Sequence, residues 1–201
     1  MTVATAERPA PGLGGLLARA RFAASNAASE AFFATYGETV AHACHAMAAR
    51  FQAGGRLLVA GERASCSDVA HVVVEFMHPV IVGKRALPAV ALLSGGGDVR
   101  PGASLARLET LGRPGDMLMV MTDGALRDDE HALLASAAGK GVLTIALTGA
   151  ARDTVRHVPA PRFSFAVPSG DACVVQEIHE MLYHVLWELV HVFLEHRAVR
   201  T

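Results

Sequence analysis

Five short apolar runs, each closed by turn formers, constrain this chain more than any other feature. Leu57-Leu58-Val59-Ala60 lies between glycines and is apolar at every position, with none of the alternation of a strand that has one wet face. That is how a strand buried on both faces of a parallel sheet reads. Similar runs recur at 89–93, 117–121, 143–147 and 163–167, and helix-forming segments separate them at 67–77, 104–111, 128–138 and 172–196. Strands alternating with helices predict an α/β fold: a three-layer αβα domain with a parallel sheet and right-handed crossovers. Upstream, residues 16–52 are alanine-rich, free of proline and apolar at helical spacing, which predicts two additional N-terminal helices parted near Tyr36-Gly37.

With 52% hydrophobic residues in 201, the chain can bury one sizeable core. Residues 1–15 hold Glu7, Arg8, Pro9 and Pro11 among glycines, without the basic start and apolar core of a signal peptide. The expected organisation is a flexible tail over 1–15 and a single domain over 16–201. The 18 basic and 19 acidic residues leave a charge of −1, so no broad field attracts nucleic acid or anionic lipid. The most apolar stretch, 174–194, is interrupted by Glu177, His179, Glu180, His184, Glu188 and His191, and reads as a buried amphipathic helix rather than a membrane span. Cys44, Cys66 and Cys173 form no CxxC pair; they suit a reducing cytoplasm and read as small buried hydrophobes.

In parallel sheets ligands gather beyond the carboxyl ends of the strands. Two loops therefore carry the expectation, Gly61 to Asp68 after the first strand and Thr122 to Arg127 after the third; neither is a dinucleotide or Walker loop. Polar residues on otherwise buried helices are the other signal. His71 and Glu75 are spaced i, i+4 and share a helix face, a pair able to hold a metal or to set a base beside its orienting partner. On the last helix Gln176 and His184 stand about 12 Å apart along the axis and about 80° apart around it, so they meet only by reaching inward from both ends. His42, Cys44 and His45 read as an ordinary helix surface, and His179, His184, His191 and His196 as candidates for a subunit interface.

Several segments in order give the chain a resemblance to the sugar isomerase (SIS) domain family, and within it to the phosphoheptose isomerases, which interconvert sedoheptulose 7-phosphate and a heptose 7-phosphate. They are Ser65-Cys66-Ser67-Asp68-Val69-Ala70-His71 with Glu75; Leu87-Pro88-Ala89-Val90-Ala91-Leu92; Leu111-Gly112-Arg113-Pro114-Gly115-Asp116; Leu147-Thr148-Gly149; and Gln176-Glu177-Ile178-His179 with His184. The resemblance implies a five-stranded parallel sheet and a homotetramer with active sites at subunit junctions. It also implies proton transfer by Glu75 and His184, and Zn²⁺ held by His71, Glu75, Gln176 and His184, a donor set that suits the metal.

The chain departs from that family where phosphate would bind. The glycine-rich loop keeps Gly61 and Ser65 at its ends, and the hydroxyl-rich loop is replaced by Thr122, Asp123, Gly124, Ala125, Leu126 and Arg127. Ser65, Thr122, Asp123 and Arg127 are thus the candidate substrate-binding residues, with Asp123 opposing a phosphate and Arg127 the candidate to restore anion binding. Pro79 stands at the family's arginine four residues after the catalytic glutamate, and 94–98 replace an Asn-Asp-aromatic-Gly stretch. The expectation is an aldose–ketose isomerase with a retained metal and acid–base site and a changed sugar or sugar-phosphate-like substrate. The alternative is a non-catalytic SIS scaffold or metal-binding accessory protein that binds a protein partner.

Overall fold

A computed structural model describes residues 12–61, 64–93, 102–150 and 160–198. Its elements run α1 (Leu13–Gln52), β1 (Leu57–Gly61), α2 (Ser65–Met77), β2 (Ala89–Ala91), α3 (Ala103–Leu111), β3 (Met117–Met121), α4 (Asp128–Gly139), β4 (Leu143–Thr148), β5 (Phe163–Ala166) and α5 (Ala172–Ala198). The five strands form one parallel sheet in the order β2-β1-β3-β4-β5. Each predicted strand is present, with β1 and β4 each running one residue longer, β2 ending two residues early and β5 one residue early.

Both faces of the sheet are covered, which is why the strands read as unbroken apolar runs. Leu57, Val59, Met117, Met119, Ile145 and Leu147 face a large core with α1, α2 and α5. Leu58, Ala60, Leu118, Val120 and Ala146 face a smaller one with α3 and α4. Gly61 closes β1 where α2 folds back: a Cβ there would stand 2.9 Å from a Val69 methyl and 3.0 Å from the Met121 carbonyl oxygen. At the opposite ends of β1 and β3, buried Asp116 accepts from the backbone N–H of Arg56 at 2.9 Å and of Arg113 at 3.1 Å, and from the Arg56 guanidinium at 2.7 Å. Burial alone raises the Asp116 carboxyl, but these donors outweigh it and hold the group below the usual carboxylate range.

The expected pair of N-terminal helices is corrected to one, a 40-residue α1 without a break at Tyr36-Gly37. Phe32 and Tyr36 pack on Phe165 of β5, at ring-centroid distances of 6.5 and 5.6 Å, and the Tyr36 hydroxyl accepts the Ala166 N–H at 3.3 Å. These anchors outweigh the penalty of about 1 kcal/mol for a glycine inside a helix. The helix also takes in residues 13–15, which the sequence assigns to the tail; residues 1–11 lie outside the described residues. Its first turns project from the body, leaving Leu13 74%, Leu17 62% and Phe22 68% exposed. Arg21 ties this segment to the start of α5 through Asp171, whose carboxylate also accepts the Cys173 N–H at 2.9 Å.

Among the cysteines, all free, Cys44 is buried and its thiol is pushed up to about 12 by desolvation, while Cys66 is half-buried. Cys173 is exposed, contrary to its reading as a buried hydrophobe, because it opens α5 at the loop edge. His179 and His191 are each 2% exposed and point into the chain's own core, which corrects their expected place at a subunit interface. No helix among the described residues is long and apolar enough to cross a membrane.

Candidate metal and acid–base site

The site lies along the seam between α2 and α5, on the side of the sheet facing the larger core. The i, i+4 spacing of α2 brings Glu75 within 3.4 Å of His71 Nε2. From α5, His184 Nε2 lies 3.9 Å from the same Glu75 oxygen. Glu180, one turn before His184, places a carboxylate oxygen 3.7 Å from His71 Nδ1. The structure thus brings together three of the four expected metal-ligating residues, His71, Glu75 and His184, and adds Glu180. Ligand atoms of His71, Glu180 and His184 all lie within 4.8 Å of one another.

Tyr183 orients the group. Its hydroxyl is 2.9 Å from His71 Nδ1, and its ring meets His71 and His184 edge-on at 5.3 and 4.9 Å. Burial, reinforced by Glu180, Asp68 and Glu75, pushes the phenol pKa upward, so the hydroxyl keeps its proton. With Glu75 facing Nε2 and the Tyr183 hydroxyl facing Nδ1, both ring nitrogens have polar neighbours that fix the orientation of the ring. Glu75 is mostly enclosed, its side chain 14% exposed, whereas His184 is 43% exposed and reachable from outside. An open cleft of about 780 Å³ lies over His184 and Glu180, walled by Arg21, Phe22 and Ser25 of α1 and by Glu177 of α5.

Gln176 stands outside this group among the described residues. Its Nε2 donates to Asp68 Oδ1 at 3.0 Å, and both line a second cavity of about 130 Å³ with Ser65, Asp123, Cys173 and His179. This cavity sits beyond the carboxyl ends of β1 and β3, where the strand order reverses, the expected ligand position for such a sheet. Burial raises the Asp68 carboxyl, and the Gln176 hydrogen bond opposes that rise. Two of the expected substrate-binding residues, Ser65 and Asp123, therefore reach the cavity. Thr122 is 3% exposed, and its N–H donates to the Leu147 carbonyl. Arg127 does not reach it: the guanidinium donates to buried Glu130 at 2.7 Å and lies 3.6 Å from Asp129, within its own helix terminus.

The Leu147-Thr148-Gly149 motif acquires a physical reason here. A Cβ on Gly149 would stand 2.2 Å from the Asp123 carbonyl oxygen, so only glycine lets β4 pass the β3–α4 loop, and the Gly149 N–H donates to Gly124 at 3.0 Å. Below this junction His179 faces the Thr148 carbonyl oxygen at 3.3 Å. Of the contributors that sequence reasoning missed, Glu180 had a signal in its i, i+4 offset from His184. Tyr183 had none, since an aromatic on an apolar helix face reads as core.

The strand order 2-1-3-4-5, the covering helices and the polar seam of α2 and α5 define a three-layer α/β domain of the SIS type. A phosphoheptose isomerase from Neisseria gonorrhoeae has this fold, with a TM-score of 0.76 and 23% identity over 89% of this chain and 98% of that structure. No family model matches the chain. Curated relatives do: a phosphoheptose isomerase of Roseiflexus sp. is 32% identical over 149 residues, 70% of this chain and 74% of the relative. Another, from Synechocystis sp., is 30% identical over 171 residues, 81% of this chain and 87% of the relative. The chain belongs to the phosphoheptose isomerase family.

His179 supplies a pH test of this end of the fold. Burial depresses its pKa from 6.5 to about 4, against the smaller opposing effects of the Thr148 carbonyl and Asp123. The unfolded chain therefore takes up a proton below about pH 6.5 that the folded chain refuses until about pH 4, and stability falls as pH drops through that window, by up to about 3 kcal/mol. His179→Gln, which keeps a donor for Thr148, is expected to flatten the pH dependence of unfolding free energy between pH 6.5 and 4 in denaturant titrations. A slope equal to that of the parent protein would contradict the assignment.

Proposed function

We propose that the protein is an aldose–ketose isomerase of the phosphoheptose isomerase type, with Glu75 and His184 moving protons between neighbouring positions of a bound sugar. The observation supporting this most is the meeting of the His71–Glu75 pair with the Glu180–His184 pair beneath an open cleft. Isomerisation through an enediol needs a base for a carbon-bound proton and an acid–base group for the oxygens. Glu75, enclosed and held beside His71, suits the first task. His184, exposed and 3.9 Å from the Glu75 carboxylate, suits the second on the adjacent carbonyl or hydroxyl. Tyr183 and His71 keep the carboxylate and imidazole in register. The imidazole and carboxylate donors fit Zn²⁺, which His71, Glu75 and His184 would hold. A bound zinc ion would polarise the sugar carbonyl as a Lewis acid.

Gln176 lies one helical turn before Glu180 on α5 and Asp68 about one turn before His71 on α2, so a sugar in the seam would extend toward the cavity that they line with Ser65. That cavity presents Asp68 and Asp123, while Arg127 is bound to Glu130. At an effective dielectric near 20, a carboxylate about 4 Å from one phosphate charge costs on the order of 4 kcal/mol. One added charge-assisted hydrogen bond returns about 1.5–3 kcal/mol. We therefore infer a sugar carrying less negative charge than the heptose phosphate named for the relatives.

We further propose a homotetramer, supported by the exposed Leu13, Leu16, Leu17 and Phe22 of α1 beside the cleft. A monomer in sedimentation at micromolar concentration would contradict it. The free thiols suit a reducing cytoplasm.

The catalytic reading is tested by turnover, and by solvent-deuterium incorporation, with sedoheptulose and with its 7-phosphate. Exchange into the unphosphorylated sugar is expected, falling by about 10²–10⁴ in Glu75→Gln, with calorimetric affinity for the phosphate no tighter than millimolar. Micromolar affinity and turnover for the phosphate would contradict the changed substrate. No exchange with either would sink the enzyme reading in favour of a non-catalytic SIS scaffold, which the acidic β3–α4 loop favours.

A further inference from the structure

We propose that the cavity at the carboxyl ends of β1 and β3 receives a protonated amine on the far end of the sugar, so that the substrate class is an amino sugar and not a sugar phosphate. The proposal rests on the isomerase reading above and names the group at the end of the sugar, which that reading leaves open. The hydrogen-bonding capacity of the cavity wall is the first support. Ser65 is 4% exposed and His179 2% exposed, and both line the cavity. Among the described residues the Ser65 hydroxyl and His179 Nδ1 have no hydrogen-bond partner, and buried polar atoms of that kind call for a ligand or water. The Thr148 carbonyl can only accept, so His179 Nε2 carries the ring proton and Nδ1 keeps a bare lone pair. Burial, which brings this imidazole down to about 4, holds it in that neutral form.

The remaining wall adds acceptors. Asp68 uses Oδ1 to accept from Gln176 and keeps its second oxygen, and the Asp123 carboxylate has no partner among the described residues. Against these stand one hydroxyl, the weak thiol donor of Cys173 and an amide already turned to Asp68. A phosphate dianion brings acceptors only, whereas an ammonium brings three donors. The volume of about 130 Å³ corresponds to about four waters at about 30 Å³ each, which admits an aminomethyl end and not a whole sugar.

Charge is the second, independent support. Parallel α/β domains take anions at helix N-termini, where unpaired N–H groups point at the ligand. Helices α2, α4 and α5 begin at this end of the sheet, and each answers its positive end with its own carboxylates. Asp171 accepts from the Cys173 and Val174 N–H groups at 2.9 and 3.5 Å at the start of α5. At α4 the Arg127 N–H donates to Glu130 at 2.8 Å and the Glu130 N–H to Asp129 at 3.0 Å. Asp68 stands in the first turn of α2. The described lining of the cavity includes Asp68 and Asp123 and neither Lys nor Arg. Burial drives the Asp68 carboxyl upward, a penalty on its charge that a cation beside it relieves.

The full-length chain would be titrated calorimetrically at neutral pH with sedoheptulose, its 7-phosphate and 7-amino-7-deoxysedoheptulose, with solvent-deuterium incorporation followed for each. The amine should bind about 10-fold or more tighter than the neutral sugar, as a charge-assisted hydrogen bond provides, and the phosphate should bind weakest. Asp123→Asn keeps the side-chain size at an exposed position and should cut the amine's advantage over the neutral sugar to within about threefold, with circular dichroism and thermal unfolding establishing that the variant is folded. An amine bound no tighter than the neutral sugar by the parent protein would overturn the proposal, and exchange into the neutral sugar would then leave the isomerase reading intact. A phosphate bound tightest would overturn it together with the reduced charge inferred above. An amine advantage that folded Asp123→Asn leaves unchanged would overturn the cavity as the amine's place. Asp123-dependent amine binding without exchange into any of the three sugars would support the amine site and contradict the isomerase reading alone.

Discussion

Burial of the sheet on both faces is the constraint from which the rest follows. Strands such as Met117–Met121 and Leu143–Thr148 are buried at every position, so they carry no chemistry of their own. Polar groups are tolerated only at strand ends, where loops reach solvent, or along a seam between two helices. The chain uses both. Asp116 satisfies the amino ends of β1 and β3, the Asp68–Gln176 bond forms at the carboxyl ends, and α2 and α5 leave between them the strip that holds His71, Glu75, Glu180 and His184. Helix α5 belongs to the buried core and to the site at once. Leu182, Leu186 and Val190 fix it against the core, and that packing sets where Glu180 and His184 point.

Nearly all of the layering was legible in the sequence, because a strand buried on two faces leaves an unmistakable apolar run. What was not legible depended on long-range contact. The continuity of α1 past Gly37 follows from Tyr36 and Phe32 docking on Phe165, a partner more than a hundred residues away. In the site, His71, Glu75 and His184 stood out as polar interruptions of apolar helices and proved to be neighbours. Gln176 stood out equally, yet its offset around α5 sends it to Asp68. Glu180 stood only among the polar interruptions of 174–194, although helical spacing alone pairs it with His184.

The two ends of the binding region tell different stories about chemistry. The seam keeps a carboxylate and imidazoles in mutual contact, oriented by a buried tyrosine, an arrangement suited to moving protons. The cavity at the strand ends has Asp123 where the family resemblance implies a hydroxyl for phosphate, beside the buried Asp68, and the nearby Arg127 is held by Glu130 at the start of α4. Acidic Asp128, Asp129 and Glu130 further satisfy the positive end of that helix, which would otherwise favour an anion. The proposed isomerase reading with a less charged sugar takes both ends into account.

Whether the α2–α5 seam is a metal-supported proton-transfer site is tested most directly by anomalous diffraction at the zinc edge, on crystals of the full chain purified without chelators. The predicted result is one strong peak per chain between His71 and His184, with carboxylate and imidazole donors at about 2.0–2.2 Å. No peak there at full protein occupancy, or a peak elsewhere with the seam unchanged, would contradict it.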